Sequence, residues 1–228
     1  MPSFDIIKTV EPQETFRIAS IKGQFDLDIT KVQERFTGNI AIEDKDWSIG
    51  VVVGASGTGK STIAKELFKD AYIEKFKYEN ESVLDAMPNT KSTEEITKIF
   101  NSVGFATVWS WLKPYSVLSN GEKMRVDLAN AILSEKSVIC FDEFTSVVDR
   151  TVAKTASFAI SKAVRKLNKQ FIAVTCHYDI LEWIEPDWIY DTNKQEFFFQ
   201  KNLAGRDLNS QFTNAAQANG SIFKSIII

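Results

Sequence analysis

Continuous apolar runs alternate along this chain with apolar residues at helical spacing. Runs at residues 49–53, 137–141 and 170–175 have the character of strands buried on both faces, which predicts parallel pairing. Helical spacing is clearest over residues 151–167, where the apolar stripe comprises Ala156, Ala159, Ile160, Ala163, Val164 and Leu167. Strands that alternate with helices in this order predict an α/β fold.

Weaker strand patterns lie near both ends of this region. Residues 16–21 and 39–42 alternate between apolar and polar positions, as half-buried strands do. Residues 187–200 predict a hairpin that turns at residues 191–194. These segments predict an antiparallel β edge on a mixed sheet.

A small helical lobe is predicted over about residues 86–118. Ser92 and Glu95 fit a capping box at the start of one short helix, and Trp109 and Trp111 mark a second helical segment. These two tryptophans are expected either to form a docking surface or to pack in the lobe. Residues 1–200 thus predict one domain. The Asn-, Gln-, Ser- and Ala-rich residues 201–228 predict a tail that is poorly ordered, or ordered only against a partner.

Composition narrows the class of protein. A net charge of −3 gives no overall basic field for nucleic acid, although a local patch is not excluded. The basic cluster of Lys162, Arg165, Lys166 and Lys169 is expected to be a solvated helix face. Apolar runs are shorter than a membrane span, and the two cysteines, Cys140 and Cys176, are expected to be buried free thiols. These features predict a cytoplasmic location and no zinc site.

A glycine-rich loop follows the first apolar run and precedes an amphipathic helix predicted over residues 62–70. Successive glycines let backbone N–H groups converge on an anion, and the helix dipole points at the same place. Lys60 can then reach the β- and γ-phosphates, and Ser61 can ligate Mg²⁺. The predicted nucleotide-binding residues of this segment are Gly54, Ala55, Ser56, Gly57, Thr58, Gly59, Lys60, Ser61 and Thr62.

Two adjacent acids end the second apolar run. Asp142 is predicted to support Mg²⁺, and Glu143 to polarise a water that attacks the γ-phosphate. A helix N-cap would explain the same pair, but the upstream phosphate loop favours the catalytic interpretation. His177, the one histidine in the chain, follows the next strand and can approach the same phosphate; a structural role is the alternative.

A serine and a glycine precede the helix that contains Val126 and Leu133. Ser119 and Glu122 fit an ordinary capping box, and Gly121 adds local freedom. The N-terminus of a helix is also an anion site, so the two interpretations are compatible.

In this order the motifs resemble those of the ATP-binding-cassette (ABC) ATPases. Residues 54–61 are similar to the Walker A loop, 118–122 to the LSGGQ signature, 138–143 to Walker B with its catalytic glutamate, and 146–149 to the D-loop. His177 resembles the switch histidine. The resemblance spans roughly residues 16–200.

The resemblance implies a P-loop NTPase fold of the ABC type with a reduced helical subdomain. It implies hydrolysis of ATP with Mg²⁺, with Glu143, His177 and Lys60 as catalytic residues, and an ATP-dependent head-to-tail homodimer. In such a dimer, Ser119 and Gly121 of one protomer contact the γ-phosphate held by the other. Asp149 crosses the interface.

This sequence departs from the family pattern at three points. Asn120 and Glu122 replace a glycine and a glutamine of the signature. No glutamine occurs between Ser61 and Ser119, so Asp85 is proposed as an oxygen ligand to the metal in place of the Q-loop residue. An adenine-stacking aromatic is expected upstream of the phosphate loop. Its candidates are Phe25 and Phe36, for which core packing is the alternative.

The short stretch between the phosphate loop and the signature bears on the partner. Only 59 positions separate Lys60 from Ser119, less than transporter-type cassettes use. The preferred hypothesis is therefore a motor or switch that acts on a macromolecule, with nucleic acid as one candidate. The alternative is an ATP-binding subunit of a membrane ABC transporter, and a binding switch with slow turnover is a third hypothesis.

Overall fold

The computed structural model describes residues 3–11, 13–26 and 32–199. Its centre is a five-stranded sheet in the order β4-β5-β3-β6-β7. The strands are β3 (Ile49–Val53), β4 (Val138–Phe141), β5 (Gln170–Thr175), β6 (Trp188–Asp191) and β7 (Glu196–Phe199). β3, β4, β5 and β6 run parallel, and β7 pairs antiparallel with β6. The predicted mixed sheet and the hairpin at residues 187–200 are confirmed.

Helices cover both faces of this sheet because its central strands are apolar on both sides. All five residues of β3 are buried. Val51 and Val53 pack with α3 (Thr93–Ser102), α5 (Asn120–Leu133) and α6 (Arg150–Lys166). Val52 faces the other way, with residues of α2 (Lys60–Leu67). The phosphate loop therefore leaves a strand that is fixed from both sides.

The first 40 residues differ from the prediction. Residues 16–21, expected to be a strand, lie in helix α1 (Phe16–Gln24), where the Thr15 hydroxyl caps the Ile18 N–H. The flanking segments β1 (Ser3–Val10) and β2 (Val32–Asn39) form an antiparallel pair, so the strand expected at 39–42 ends where it was predicted to begin. A short alternating pattern fits a largely exposed helix as well as a strand, and the N-cap decides between them.

The helical lobe contains the two predicted short helices, α3 and α4 (Val108–Trp111). The Ser92–Glu95 capping box is present. Trp111 is buried, and its indole N–H donates to the Phe105 carbonyl at 2.8 Å, whereas Trp109 is 77% exposed. The prediction that these tryptophans pack in the lobe is thus correct for Trp111 but not for Trp109.

The remaining predictions concern two helices, the cysteines, membrane spans and the tail. The helix expected at 151–167 is α6, and the one expected at 62–70 is α2, which starts two residues earlier. Cys140 is buried as expected, but Cys176 is exposed. Helix α7 (Ile180–Ile184) completes the fold, and within the described ranges no helix is both long and apolar enough to cross a membrane. The tail at 201–228 lies outside the described residues.

Candidate nucleotide site

The phosphate loop occupies the turn between β3 and α2. Gly57 and Gly59 have φ values of 83° and 81°, a left-handed conformation in which side chains other than glycine are strained. Gly59 is the N-cap of α2 and, as a glycine, has no side chain that could bond the first N–H groups of the helix. A β-carbon on Gly57 would meet nothing within 4 Å, so the loop is open on that side. Its geometry suits an anion held by backbone N–H groups.

Lys60 lies half-buried beneath this loop. Its ammonium donates to the Ala55 carbonyl at 2.6 Å. Burial lowers the pKa of Lys60, while the acidic groups of Cys176, Glu143 and Asp142 act in the opposite direction, which places all three near the ammonium. A half-buried cation bonded to a neutral carbonyl is stabilised by an added anion.

Asp142 follows β4 directly and is held by two hydrogen bonds. One carboxylate oxygen accepts the Tyr72 hydroxyl proton at 2.6 Å, and the other accepts the Glu143 N–H at 2.9 Å. Burial and the Asp142 carboxylate both raise the pKa of Tyr72, so the phenol keeps its proton. Each oxygen of Asp142 uses one acceptor position and retains another for a water or a cation.

Glu143 lies in a strained turn. Its φ is 55°, and that of Thr145 is 65°, both in the left-handed region. Each costs roughly 1–2 kcal/mol for a non-glycine residue. The Phe144 N–H bonds the Val174 carbonyl at 2.9 Å, which holds the turn against β5 and leaves Glu143 exposed. Strain of this kind is common at functional sites.

His177 lies at the end of the neighbouring strand, close to Glu143. Burial lowers the pKa of His177, and the nearby Arg150 guanidinium lowers it further, while Asp179 and Glu143 act to raise it. Arg150 forms an ion pair with Asp179. The imidazole is therefore biased towards its neutral form, which can accept as well as donate a hydrogen bond.

The signature turn forms the capping box that its sequence predicts. The Glu122 carboxylate accepts the Ser119 N–H at 3.0 Å, the Ser119 hydroxyl at 2.8 Å and the Ser110 hydroxyl at 2.6 Å. These bonds lower the pKa of Glu122, Ser110 contributing most. Its carboxylate is thus held both by the N-cap of its own helix and by Ser110 of α4. A β-carbon on Gly121 would lie 3.1 Å from Val152 on α6.

The signature turn and the phosphate loop of one chain are not joined. Among the described residues, no hydrogen bond or ion pair links Ser119 or Gly121 to residues 54–61. Asp149 also has a local role, since its carboxylate caps α6 by accepting the Thr151 and Val152 N–H groups at 2.9 Å.

Asp85 lies in a turn beside the lobe. Its carboxylate accepts the Ser82 hydroxyl at 2.6 Å, and Ser82 pairs with Pro114. Within the part of the chain that is described, no bond joins Asp85 to Asp142 or to the phosphate loop. A metal-ligand role for Asp85 stays a prediction.

The adenine-stacking candidates are placed differently. A β-carbon on Gly59 would lie 2.2 Å from the Phe36 ring, so Phe36 packs directly on the phosphate loop. Phe25 is 62% exposed and is not a core residue. Phe36 is therefore the aromatic side chain of the pair that lies near the loop.

Residues of the β6–β7 turn also support the loop, although no functional role was predicted for them. The Thr192 hydroxyl lies 2.6 Å from the Thr58 hydroxyl, and the Asn193 side-chain oxygen accepts the Ala55 N–H at 3.1 Å. Asp191 is fully buried and accepts the Tyr178 hydroxyl proton at 3.1 Å. The available signal was a polar turn after a buried strand, which becomes informative only once β6 is known to lie beside β3.

The donor set suits Mg²⁺ better than a protein-caged metal. Within the described ranges, no three His, Cys, Asp or Glu side chains gather as a metal site. Mg²⁺ prefers oxygen ligands and keeps several waters, so it needs only one or two carboxylates together with substrate phosphates. Asp142, with a free acceptor position on each oxygen, and the half-buried Ser61 in the first turn of α2 match that demand.

A protein-family model matches more than half of the chain. It is described as "ATPase family associated with various cellular activities (AAA)", and it matches residues 51–183. This chain belongs to the AAA/ABC ATPase family. The match includes the whole phosphate loop, the signature turn, Asp142, Glu143 and His177, and it ends before the β6–β7 turn.

Two curated relatives of this chain are named as ATP-binding proteins of transporters. EcfA1 of an energy-coupling factor transporter from Staphylococcus aureus is 27% identical over 184 residues, covering 63% of this chain and 66% of EcfA1. An uncharacterized ABC transporter ATP-binding protein from Haemophilus influenzae is 38% identical over 69 residues, covering 30% of this chain and 28% of that protein. Three relatives, the Haemophilus influenzae protein included, are matched over only 6% to 39% of their own length.

Solved structures of ABC cassettes have the same fold as this ATPase. cbiO1 from Clostridium perfringens, part of the ABC transporter complex cbiONQ, aligns with a TM-score of 0.59 and 16% identity over 86% of this chain and 94% of that one. A dimeric bacterial ABC transporter cassette, MJ0796, aligns with a TM-score of 0.54 and 16% identity, covering 69% and 87%. The predicted P-loop NTPase fold of the ABC type is confirmed.

Proposed function

We propose that this ATPase binds ATP with Mg²⁺ and hydrolyses it to ADP and phosphate, as the ATP-binding subunit of a membrane transporter. The observation that supports binding most directly is the half-buried ammonium of Lys60, which among the described residues bonds only the Ala55 carbonyl, beside an open glycine loop. Ser61 and Asp142 would hold Mg²⁺, which when bound would supply positive charge against the negative charge that develops on the phosphates. Glu143 positions the attacking water, and His177 orients the γ-phosphate.

The site is completed by a second copy of the chain. Ser119 is exposed at the start of α5 and is not bonded to its own phosphate loop, so its helix terminus is available to another molecule. One half-site has few donors for a transferring phosphoryl group, and a second helix terminus adds to them. The dimeric cassette MJ0796 is a fold neighbour and supports the same arrangement here.

The partner proposal changes from the one preferred on sequence length. Both relatives described above are named for transporters, which favours the alternative of a transporter subunit over a motor on nucleic acid. The lobe also presents exposed apolar side chains, here termed the lobe patch: Val108, Trp109, Leu112 and Val117, which are 55%, 77%, 57% and 65% exposed. An apolar patch of this kind is typical of a protein–protein contact.

Nucleotide-trapped dimerisation tests the catalytic proposal. Glu143→Gln is expected to bind ATP, to elute as a dimer in light-scattering chromatography and to lose turnover, because the water is no longer activated. Adding Ser119→Arg should abolish the dimer, whereas Ser116→Arg, on an exposed serine in the preceding turn, should not. Unchanged hydrolysis by Glu143→Gln would remove that residue from its role.

Co-purification from native membranes tests the partner proposal. The tagged chain is expected to retain membrane subunits in detergent, and Trp109→Glu in the lobe patch should release them while ATP binding is unchanged. Phe158→Glu, on a residue 46% exposed on α6, is the matched control. ATP-dependent retention of DNA or RNA instead would contradict a transporter role.

A further inference from the structure

A cavity of about 740 Å³ opens between the C-terminal ends of α5 and α6 and one face of α3. Its walls come from Lys98 and Ile99 of α3, from Leu133 at the end of α5, and from Lys166 at the end of α6. This volume falls in the range of small-molecule sites, about 300–1,000 Å³.

The cavity lies away from the nucleotide site. Ser137 and Lys169 line it, and they directly precede β4 and β5, so the cavity is at the amino ends of these strands. The phosphate loop and Asp142 follow the carboxyl ends of β3 and β4. Helix α5 has 14 residues and so spans about 21 Å from the signature turn to the cavity.

Positive charge exceeds negative charge in its lining. The lysines are Lys91, Lys98, Lys136, Lys166 and Lys169, and the acids are Glu95 and Glu135. Five cations against two anions leave an excess of three positive charges, in a chain whose net charge is −3. This excess is therefore local and attracts an anion to the cavity.

Local structure accounts for only three of the five lysines. Lys91 pairs with Glu135 at 2.9 Å. Lys169 donates to the Ser134 and Lys136 carbonyls at 2.7 and 2.8 Å, as cations at helix C-termini do. Lys136 itself donates to the carbonyls of residues 70 and 72.

The other two lysines remain available to a ligand. Lys98 pairs with Glu94 at 3.2 Å, but both side chains are at least 75% exposed, and such pairs are weak. Within the described ranges, no hydrogen bond or ion pair is recorded for Lys166. These two ammonium groups extend from different helices to the same cavity.

The floor of the cavity is apolar. Ile132, Leu133 and Ala163 are buried there, and Ile99 and Leu167 complete the apolar surface, the latter 42% exposed. An inorganic ion would leave this surface wet, whereas a ligand with an apolar body covers it.

We propose that this cavity binds an amphipathic organic anion, with its phosphate or carboxylate head between Lys98 and Lys166 and its apolar body on Leu133 and Leu167. The proposal concerns a second site and does not depend on ATP hydrolysis. Lys166 is exposed, as expected for the solvated face that the sequence predicts, whereas Lys169 is partly buried, and both side chains line the cavity.

A fluorescence titration with anilinonaphthalene sulfonate, an anion with an aromatic body, tests the proposal. The full chain should bind one equivalent, and Lys98→Glu with Lys166→Glu should weaken binding about tenfold or more, because two attractive charges become repulsive. Lys162→Glu, on α6 outside the lining, should have no effect. Leu167→Asp should weaken binding of the probe while leaving the thermal unfolding transition of the protein unchanged.

Competition identifies the head group and separates the cavity from the nucleotide site. Dodecyl phosphate or dodecanoate should displace the probe, and the stronger competitor shows whether the cavity prefers a phosphate or a carboxylate head group. If neither displaces the probe, the proposal is overturned. Inorganic phosphate that competes as well as dodecyl phosphate would contradict the apolar contribution. Saturating ATP should leave the probe bound, and Lys60→Ala should bind it normally. Loss of binding in either case would assign the probe to the nucleotide site and overturn the inference.

Discussion

The hydroxyl of Thr58 in the phosphate loop lies 2.6 Å from the hydroxyl of Thr192, which is 134 positions further along the chain. The Thr58 hydroxyl also lies 2.9 Å from the Ala55 carbonyl, and the Thr192 hydroxyl 3.2 Å from the Val53 carbonyl, so that two hydroxyl protons serve three oxygen–oxygen contacts. These bonds bring the β6–β7 turn against the back of the loop. The loop conformation is thus fixed by a neighbouring strand as well as by its own glycines.

Thr192→Val is expected to weaken this support. The substitution keeps the shape of the side chain but leaves the Thr58 hydroxyl without one partner, which costs about 1 kcal/mol in the free energy of unfolding. ATP affinity should fall as well, because the loop is less well ordered before binding. Urea denaturation and calorimetric titration measure both effects. Thr155→Val, on the exposed face of α6, is the control, and equal effects of the two variants would exclude a specific role for Thr192.

His177 should titrate below its ordinary pKa of 6.5. As the single histidine, it gives one imidazole resonance, so an NMR titration reports it directly. Arg150→Met should raise the pKa of His177 because it removes a nearby positive charge. Glu143→Gln should lower it because it removes a negative charge. A pKa at or above 6.5 in the unmodified chain would contradict the burial of the imidazole.

The same shift predicts how stability depends on pH. Between the lowered folded pKa of His177 and 6.5, the unfolded chain binds the proton and the folded chain does not. The free energy of unfolding should therefore fall as pH decreases through this window. In His177→Gln this contribution to the slope should be absent. Urea denaturation at several pH values compares the two, and identical slopes would show that His177 does not contribute.

Tyr72→Phe should lower the rate of ATP hydrolysis several-fold with little effect on ATP affinity, since it frees the Asp142 carboxylate from its hydrogen bond at 2.6 Å. Tyr115→Phe is a matched control, because the hydroxyl of Tyr115, in the lobe, donates to the Asp127 carboxylate of α5 at 2.8 Å. That variant should lose stability and keep its activity. Equal losses of activity would assign the effect of Tyr72 to stability alone.

Glu122→Ala is expected to destabilise the chain by about 1 kcal/mol at pH 7, the usual cost of a lost cap. The pKa of Glu122 is lowered in the folded state, so its contribution is complete above 4.5 and is lost as pH falls through the folded pKa. The difference between variant and parent should therefore shrink at pH 3. Exposed Glu66→Ala is the control. A difference that is constant with pH would mean that the carboxylate charge is not involved.

Local signals in the sequence predicted the parts of the fold that depend on neighbouring residues. The runs at 137–141 and 170–175 are strands, and the capping boxes at Ser92 and Ser119 are formed. The capping boxes depend on contacts within a few positions, and the two strands were recognisable because each is a continuous apolar run. The helix at residues 16–24 was missed, because a short alternating pattern does not distinguish a strand from an exposed helix.

Long-range features of the site could not be predicted in this way. The contact of Thr192 with Thr58 requires that β6 lie beside β3. The local pattern of apolar and polar residues does not predict the order of strands in a sheet. Tyr72 reaches Asp142 across 70 positions for a similar reason, since residue 72 pairs with the edge strand at Cys140. The motifs indicated which residues belong to the phosphate loop, but not which residues support it.

The β6–β7 turn also has a consequence for biosynthesis. The loop at residues 54–61 leaves the ribosome early, but Asn193, which binds the Ala55 N–H, and Asp187, which accepts the Ser48 and Ile49 N–H groups at 2.8 Å, are translated more than 130 residues later. A nascent chain therefore lacks a finished phosphate loop until almost the whole described domain has been translated. Binding of nucleotide by incomplete chains is therefore disfavoured, because the phosphate loop becomes able to bind ATP only when the domain folds.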